Sequence, residues 1–180
     1  MKGPVEPHDA SPRRRRWHWS LDLAVGLLVF FALQTWLTRD VVRGSLPPLA
    51  APLVSSTAAS AADWRDALGG EAHLLYVWAS WCGVCKAMEG TVEVVARDAP
   101  LLTVAMQSGA PSAVQAALAG RGLRWPTLVD DNGELSRALG ISAVPTLIFV
   151  DRSGRVSSVT RGYTTELGIR ARLWWARRAG

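Results

Sequence analysis

Cysteine is nearly missing from this chain: two in 180 residues, alongside only three histidines and three methionines. A structural zinc site needs four ligands, and no second cysteine pair accompanies the first while the histidines are the scattered His8, His18 and His73, so zinc held by this chain alone is excluded. Attached c-type haem is excluded as well, because Lys86 stands where a histidine would have to follow the second cysteine. Acidic side chains are the minority sign, 15 against 20 Lys and Arg, which gives a net charge of +5. Much of that excess lies in Arg13, Arg14, Arg15 and Arg16 and in Arg170, Arg172, Arg177 and Arg178, two clusters near the chain ends rather than a nucleic-acid-binding face. With 49% apolar residues the chain is no disordered polymer, and its length suits one domain with appendages.

The two cysteines that are present form Trp81-Cys82-Gly83-Val84-Cys85-Lys86, after an apolar run and at the start of an expected helix. A thiol attacks as thiolate, and the first turn of a helix offers unpaired N–H groups and partial positive charge that favour that anion. Cys82 is placed to receive this benefit. Cys85, with two residues between it and Cys82, can reach that cysteine and resolve a mixed disulfide made with a substrate. A chance pair of buried cysteines is the plain alternative.

The basic run Arg13 to Arg16 precedes Trp17-His18-Trp19 and an apolar stretch over 21–37, with Trp36 near its far end. Residues 19–38 number enough to cross the ~30 Å hydrocarbon layer as a helix. The arginines on one side, with Arg39 balanced by Asp40 on the other, place the N-terminus in the cytoplasm and the rest in the periplasm of a bacterium. A cleaved signal peptide competes, since 58–62 offers small residues, but these lie far from the apolar core. The expected plan is a basic cytoplasmic segment over 1–18, a transmembrane anchor over 19–38 and a Pro, Ala and Ser linker over 39–62, with a short strand at 53–55.

Asp63 is an expected cap for a short helix through Leu68. Leu74 to Trp78 is apolar on both faces, as in a covered central strand, and Leu101 to Met106 is a second. A helix is expected over 83–97 with Met88, Val92 and Val95 on one side, and another with Pro111 in its first turn closing near 120–122. Strands beginning at Trp125-Pro126-Thr127-Leu128 and Val144-Pro145-Thr146-Leu147 follow, the second leading through a hairpin to Val156. A last helix over 165–178 is expected to turn Leu167, Leu173 and Trp174 toward the sheet.

The run Val77-Trp78-Ala79-Ser80-Trp81-Cys82-Gly83-Val84-Cys85-Lys86, with Gly140-Ile141-Ser142-Ala143-Val144-Pro145-Thr146-Leu147 and Gly162, resembles the thioredoxin superfamily. More narrowly it is similar to the membrane-anchored bacterial branch that includes TlpA-like proteins and the suppressor-for-copper-sensitivity protein D. The resemblance covers the chain from about Leu46 onward. It implies an α/β thioredoxin-like fold over 63–180, a central mixed sheet flanked by helices, with the dithiol and no separate cofactor or metal as the redox group. It further implies that Cys82 attacks and Cys85 resolves, that Pro145 is a cis-proline against the dithiol, and that Val144 offers its backbone to an extended substrate. Trp81 would flank the thiol, and Gly162 would let another backbone approach. Two departures stand out. Tyr76 occupies the strand position where thioredoxin carries a buried aspartate, and Glu89 is a candidate proton-transfer group whose plainer reading is a solvated helix glutamate.

Two function classes follow. One is a tethered periplasmic disulfide oxidoreductase, whose partners are protein thiols and disulfides, a membrane-embedded electron donor or acceptor, and the bilayer. The other is a non-catalytic holder of copper(I) or of a substrate on the same fold.

Overall fold

The structure, a computed structural model, describes residues 12–46, 51–54 and 70–180, with side chains from Leu21 onward. The chain divides into Met1–Leu37 and Thr38–Gly180. The first unit contributes one helix, α1, Pro12–Leu37. Its leucines, valines and phenylalanines from Leu21 to Leu33 are exposed around the whole helix. Among the described residues no helix is long and apolar enough to cross a membrane. The described side chains of α1 begin at Leu21, so the expected span over 19–38 falls partly outside them.

The second unit is built on a seven-stranded sheet. Its elements are β1 (Gly44–Ser45), β2 (Leu53–Val54), β3 (His73–Trp78), α2 (Gly83–Ala96), β4 (Leu101–Met106), α3 (Pro111–Gly120), β5 (Thr127–Asp130), α4 (Glu134–Ala138), β6 (Thr146–Val150), β7 (Arg155–Arg161) and α5 (Glu166–Ala179). The strand order is β1-β7-β6-β3-β4-β5-β2. The βαβ crossovers through α2 and α3 make β3, β4 and β5 parallel, whereas β6 runs antiparallel to β3 and returns to β7 through a tight turn. Asp151 holds that turn, its Oδ1 accepting from the Ser153 N–H, the Ser153 hydroxyl and the Arg155 N–H at 2.6–3.0 Å.

The central strands bury both faces, and side chains of alternate residues feed two cores. Leu74, Tyr76, Trp78, Leu147 and Phe149 meet Met88, Val92 and Val95 of α2, Val114 and Leu118 of α3, and Ile169, Leu173 and Ala176 of α5. Leu75, Val77, Val104, Ile148 and Val150 point the other way, onto Val41, Leu46, Leu135, Leu139 and Ile141. Polar residues inside are chained together: the Trp78 indole donates to Thr103 Oγ1 at 3.2 Å, Thr103 pairs with Thr127 at 2.7 Å, and Thr127 donates to the Trp125 carbonyl.

Two expectations are corrected. The segment over 39–62 is no free tether where it is described: besides the expected short strand, found as Leu53–Val54 against β5, Gly44–Ser45 pairs with β7 and Val41 and Leu46 fill the second core. Apolar contacts with Leu139 and Ile141 outweigh the weak local preference of this stretch. In α5, Leu167 and Trp174 are exposed, because Ile169, Leu173 and Ala176 set the phase of the buried face. The short helix α4 is an addition, covering the second face with Leu135 and capped from a distance by Asp130, whose carboxylate accepts from the Leu135 and Ser136 N–H groups. The helix expected from Asp63 lies outside the described residues.

Candidate redox site

At the carboxyl end of β3 the buried Ala79 hands the chain to a short turn, and Cys82 becomes the N-cap of α2. Its Sγ accepts from the Cys85 N–H at 3.0 Å, in place of the serine or aspartate oxygen usual at a helix start. Cys82 and Cys85 are joined by a disulfide with their Cα atoms 5.2 Å apart. Cys82 keeps 8% of its surface and Cys85 1%, so solvent meets the first sulfur's residue first. Trp81 projects beside them, exposed, its indole N–H donating to the Gln107 carbonyl at 3.0 Å.

β6 begins next to β3, and this register brings the Val144–Pro145 segment to the same end of the sheet. The Val144–Pro145 peptide is cis. Val144 is half-buried and packs against the core that contains both cysteines. The Gly162 N–H donates to the Pro145 carbonyl at 2.9 Å. Gly162 has a φ of +86°, which favours glycine, and an added Cβ would meet nothing of this chain within 4 Å. Cys82, Cys85, Trp81, Val144, Pro145 and Gly162 thus gather at one end of the sheet, with Glu89 about one helical turn beyond Cys85.

Glu89 is not a solvated helix residue: its side chain is 18% exposed and Oε1 accepts from Arg121 Nη1 at 2.7 Å. Tyr76 is fully buried with its hydroxyl donating to the Cys85 carbonyl at 3.5 Å. Burial, reinforced by the Glu89 charge and opposed by Arg121, holds this phenol well above its ordinary range, so it stays protonated. Arg121, Ser108 and Gln107 also touch this site and carry no sequence signal of doing so, since they come from loops brought in by β4 and α3. Among the described residues no cluster of three or more His, Cys, Asp or Glu is placed to hold a metal ion.

A disulfide capping the first helix after a central parallel strand, opposite a cis-proline, on a mixed sheet with helices on it, defines a thioredoxin-like α/β fold. The chain belongs to the Redoxin family, whose model matches residues 45–171. It is 30% identical to a thioredoxin-like protein of Haemophilus influenzae over 57% of this chain and 62% of that protein. It is 25% identical to the thiol-disulfide oxidoreductase ResA of Bacillus thuringiensis over 54% of this chain and 58% of that protein. The matched stretch thus spans about three fifths of these relatives' length. Among solved structures, the exposed lipoprotein thioredoxin Etrx1 of Streptococcus pneumoniae superposes with a TM-score of 0.53 at 27% identity, covering 62% of this chain and 89% of that one.

Proposed function

We propose that this chain is a thiol-disulfide oxidoreductase that exchanges disulfides with other proteins through Cys82 and Cys85. The observation that carries the reading is the Cys82–Cys85 disulfide at the N-cap of α2. In the reduced protein, the Cys85 N–H and the open end of α2 favour the Cys82 thiolate. That thiolate attacks one sulfur of a substrate disulfide, forming a mixed disulfide and releasing the other sulfur as thiolate. Cys85, deprotonated, then attacks Cys82, freeing the second substrate sulfur and leaving the Cys82–Cys85 disulfide. Two electrons pass to the substrate, and the reverse sequence oxidises it. Trp81 and the backbone at Val144 would border the incoming segment, with Glu89 and Tyr76 beneath the dithiol. The dithiol itself is the redox group, and its direction follows from a membrane-embedded donor or acceptor.

The same proposal places the chain in the membrane-anchored, TlpA-like branch, single-pass in a bacterial inner membrane with its redox domain in the periplasm. Support comes from α1, whose residues from Leu23 to Leu33 are apolar and exposed all round and whose first turns hold the four arginines Arg13 to Arg16. Carbonate-resistant sedimentation with membranes checks the anchor; release into the supernatant overturns it.

The exchange itself is tested by Cys85→Ser, which should trap substrates on Cys82 as mixed disulfides cleaved by reductant. A parallel insulin-reduction assay should show turnover that needs both cysteines. No trapped partner and no turnover would sink the reading.

A further inference from the structure

Both backbone groups of Ser80, two residues before Cys82, are held by side chains from distant parts of the chain. Its N–H donates to Ser108 Oγ at 2.9 Å, and its carbonyl accepts from Arg121 Nη2 at 2.8 Å. The same guanidinium donates through Nη1 to Glu89 Oε1 at 2.7 Å and lies over the Trp78 ring, 5.9 Å from its centroid. One planar fork therefore joins the loop that delivers Cys82 to the helix that carries Cys85. The Arg121 and Glu89 side chains are only 22% and 18% exposed, so their charges are screened less than those of surface pairs.

The N-cap bond from the Cys85 N–H to Cys82 Sγ exists only if loop and helix keep this relative placement. The elements that meet here carry Lys86, Glu89 and Glu93 on α2 and Arg155 and Arg161 on β7, with Arg121 after α3 and the Tyr76 phenol on β3 beneath. Of these, Arg121 reaches the backbone on the Cys82 side, donating to the Ser80 carbonyl.

We propose that Arg121 is a positioning residue of the dithiol, locking the Ser80-Trp81-Cys82 loop onto α2 through Ser80 and Glu89, with its charge balanced against Glu89 setting the stability of the Cys82 thiolate. This rests on the redox reading above and names the group that tunes it. The two partners have opposite electrostatic signs. Arg121→Gln removes the cation and leaves the Glu89 carboxylate uncompensated, which disfavours the thiolate. Glu89→Gln keeps the Arg121 bond to Ser80 and removes the countercharge, which favours the thiolate. A brace without electrostatic effect would move both variants in the same direction, because both break one ion pair.

The test is alkylation of reduced full-length protein by iodoacetamide across a pH series, in a Cys85→Ser background so that Cys82 alone reports. Arg121→Gln is expected to move the midpoint to higher pH and slow the reaction near neutrality about threefold, half a pH unit in thiolate fraction. Glu89→Gln is expected to move it to lower pH, and Arg121→Lys to stay nearer the parent than Arg121→Gln does. Unmoved midpoints, or shifts of the same sign, in variants with unchanged near-ultraviolet dichroism overturn the proposal. If Arg121→Gln does not fold, Glu89→Gln answers alone, and a midpoint that stays or rises overturns it. A parent Cys82 that resists alkylation at every pH would instead overturn the redox reading, so the two failures are distinct.

Discussion

Gly140 is where the stretch after Thr38 is tied to the rest of the fold, and replacing it with alanine measures how firmly. Its φ is +69°, and an added Cβ would run into the backbone carbonyl of Asp40. The left-handed conformation alone costs a non-glycine residue about 1–2 kcal/mol. To relieve the collision the 38–46 stretch must lift. The Val42 N–H then loses the Leu139 carbonyl, 3.1 Å away, a net loss of about 1 kcal/mol. Val41, 2% exposed, moves back into water at about 1.5–3 kcal/mol. The expected cost is about 3.5–6 kcal/mol, a large share of the roughly 5–15 kcal/mol that holds a domain together. Gly154→Ala is the control: its φ is +76°, yet an added Cβ meets nothing within 4 Å, so only the conformational cost of about 1–2 kcal/mol applies. Urea unfolding of both variants with the disulfide intact reads the difference. Equal shifts in midpoint would show that the stretch yields freely and would refute the reasoning.

Asp130, 3% exposed, accepts from two N–H groups of α4 at 2.9–3.0 Å, so Asp130→Ala should destabilise by about 2–4 kcal/mol in urea, and a loss below about 1 kcal/mol would contradict its capping role. Met88 is fully buried between α2 and the sheet, and Met88→Ala should cost about 2–5 kcal/mol in the same assay; a neutral result would mean the α2 interface is not packed as described. Burial holds the His73 imidazole below its ordinary value of 6.5, against smaller opposing effects of its bond to the Glu71 carbonyl and of the Asp151 charge. The unfolded chain therefore binds the extra proton first, so this contribution is complete above about pH 6.5 and is lost as pH falls from there through the folded value. Unfolding midpoints should drop on acidification through this window, and His73→Leu should flatten the drop; a slope unchanged by the substitution would remove His73 as its cause.

Strands β3 and β4 were legible because both faces of a central strand are covered, leaving uninterrupted apolar runs, and α2 because Met88, Val92 and Val95 repeat at helical spacing. The dithiol and Pro145 were legible because their spacing and flanks are local motifs. Val41 and Leu46 were not, since their burial depends on Leu139 and Ile141, nearly a hundred residues away, and no periodicity marks them. The five-residue α4 is too short to show a period, and its start is a left-handed Gly133 capped by a carboxylate outside the helix. In α5 the small Ala176 marks the buried face while Leu167 and Trp174, louder by size, point out. Arg121 was invisible because a lone arginine after Gly120 reads as solvated until the fold brings Ser80 and Glu89 to it.

Both margins of the sheet are closed by two-residue strands drawn from one short stretch, β1 against β7 and β2 against β5. During synthesis that stretch leaves the ribosome early, yet Gly44 and Ser45 have no mate until Val156 and Arg155 have been made. A nascent or truncated chain ending before β7 would carry one raw rim, open to pairing with neighbouring chains. Protection against such association therefore arrives only once the last strand is in place.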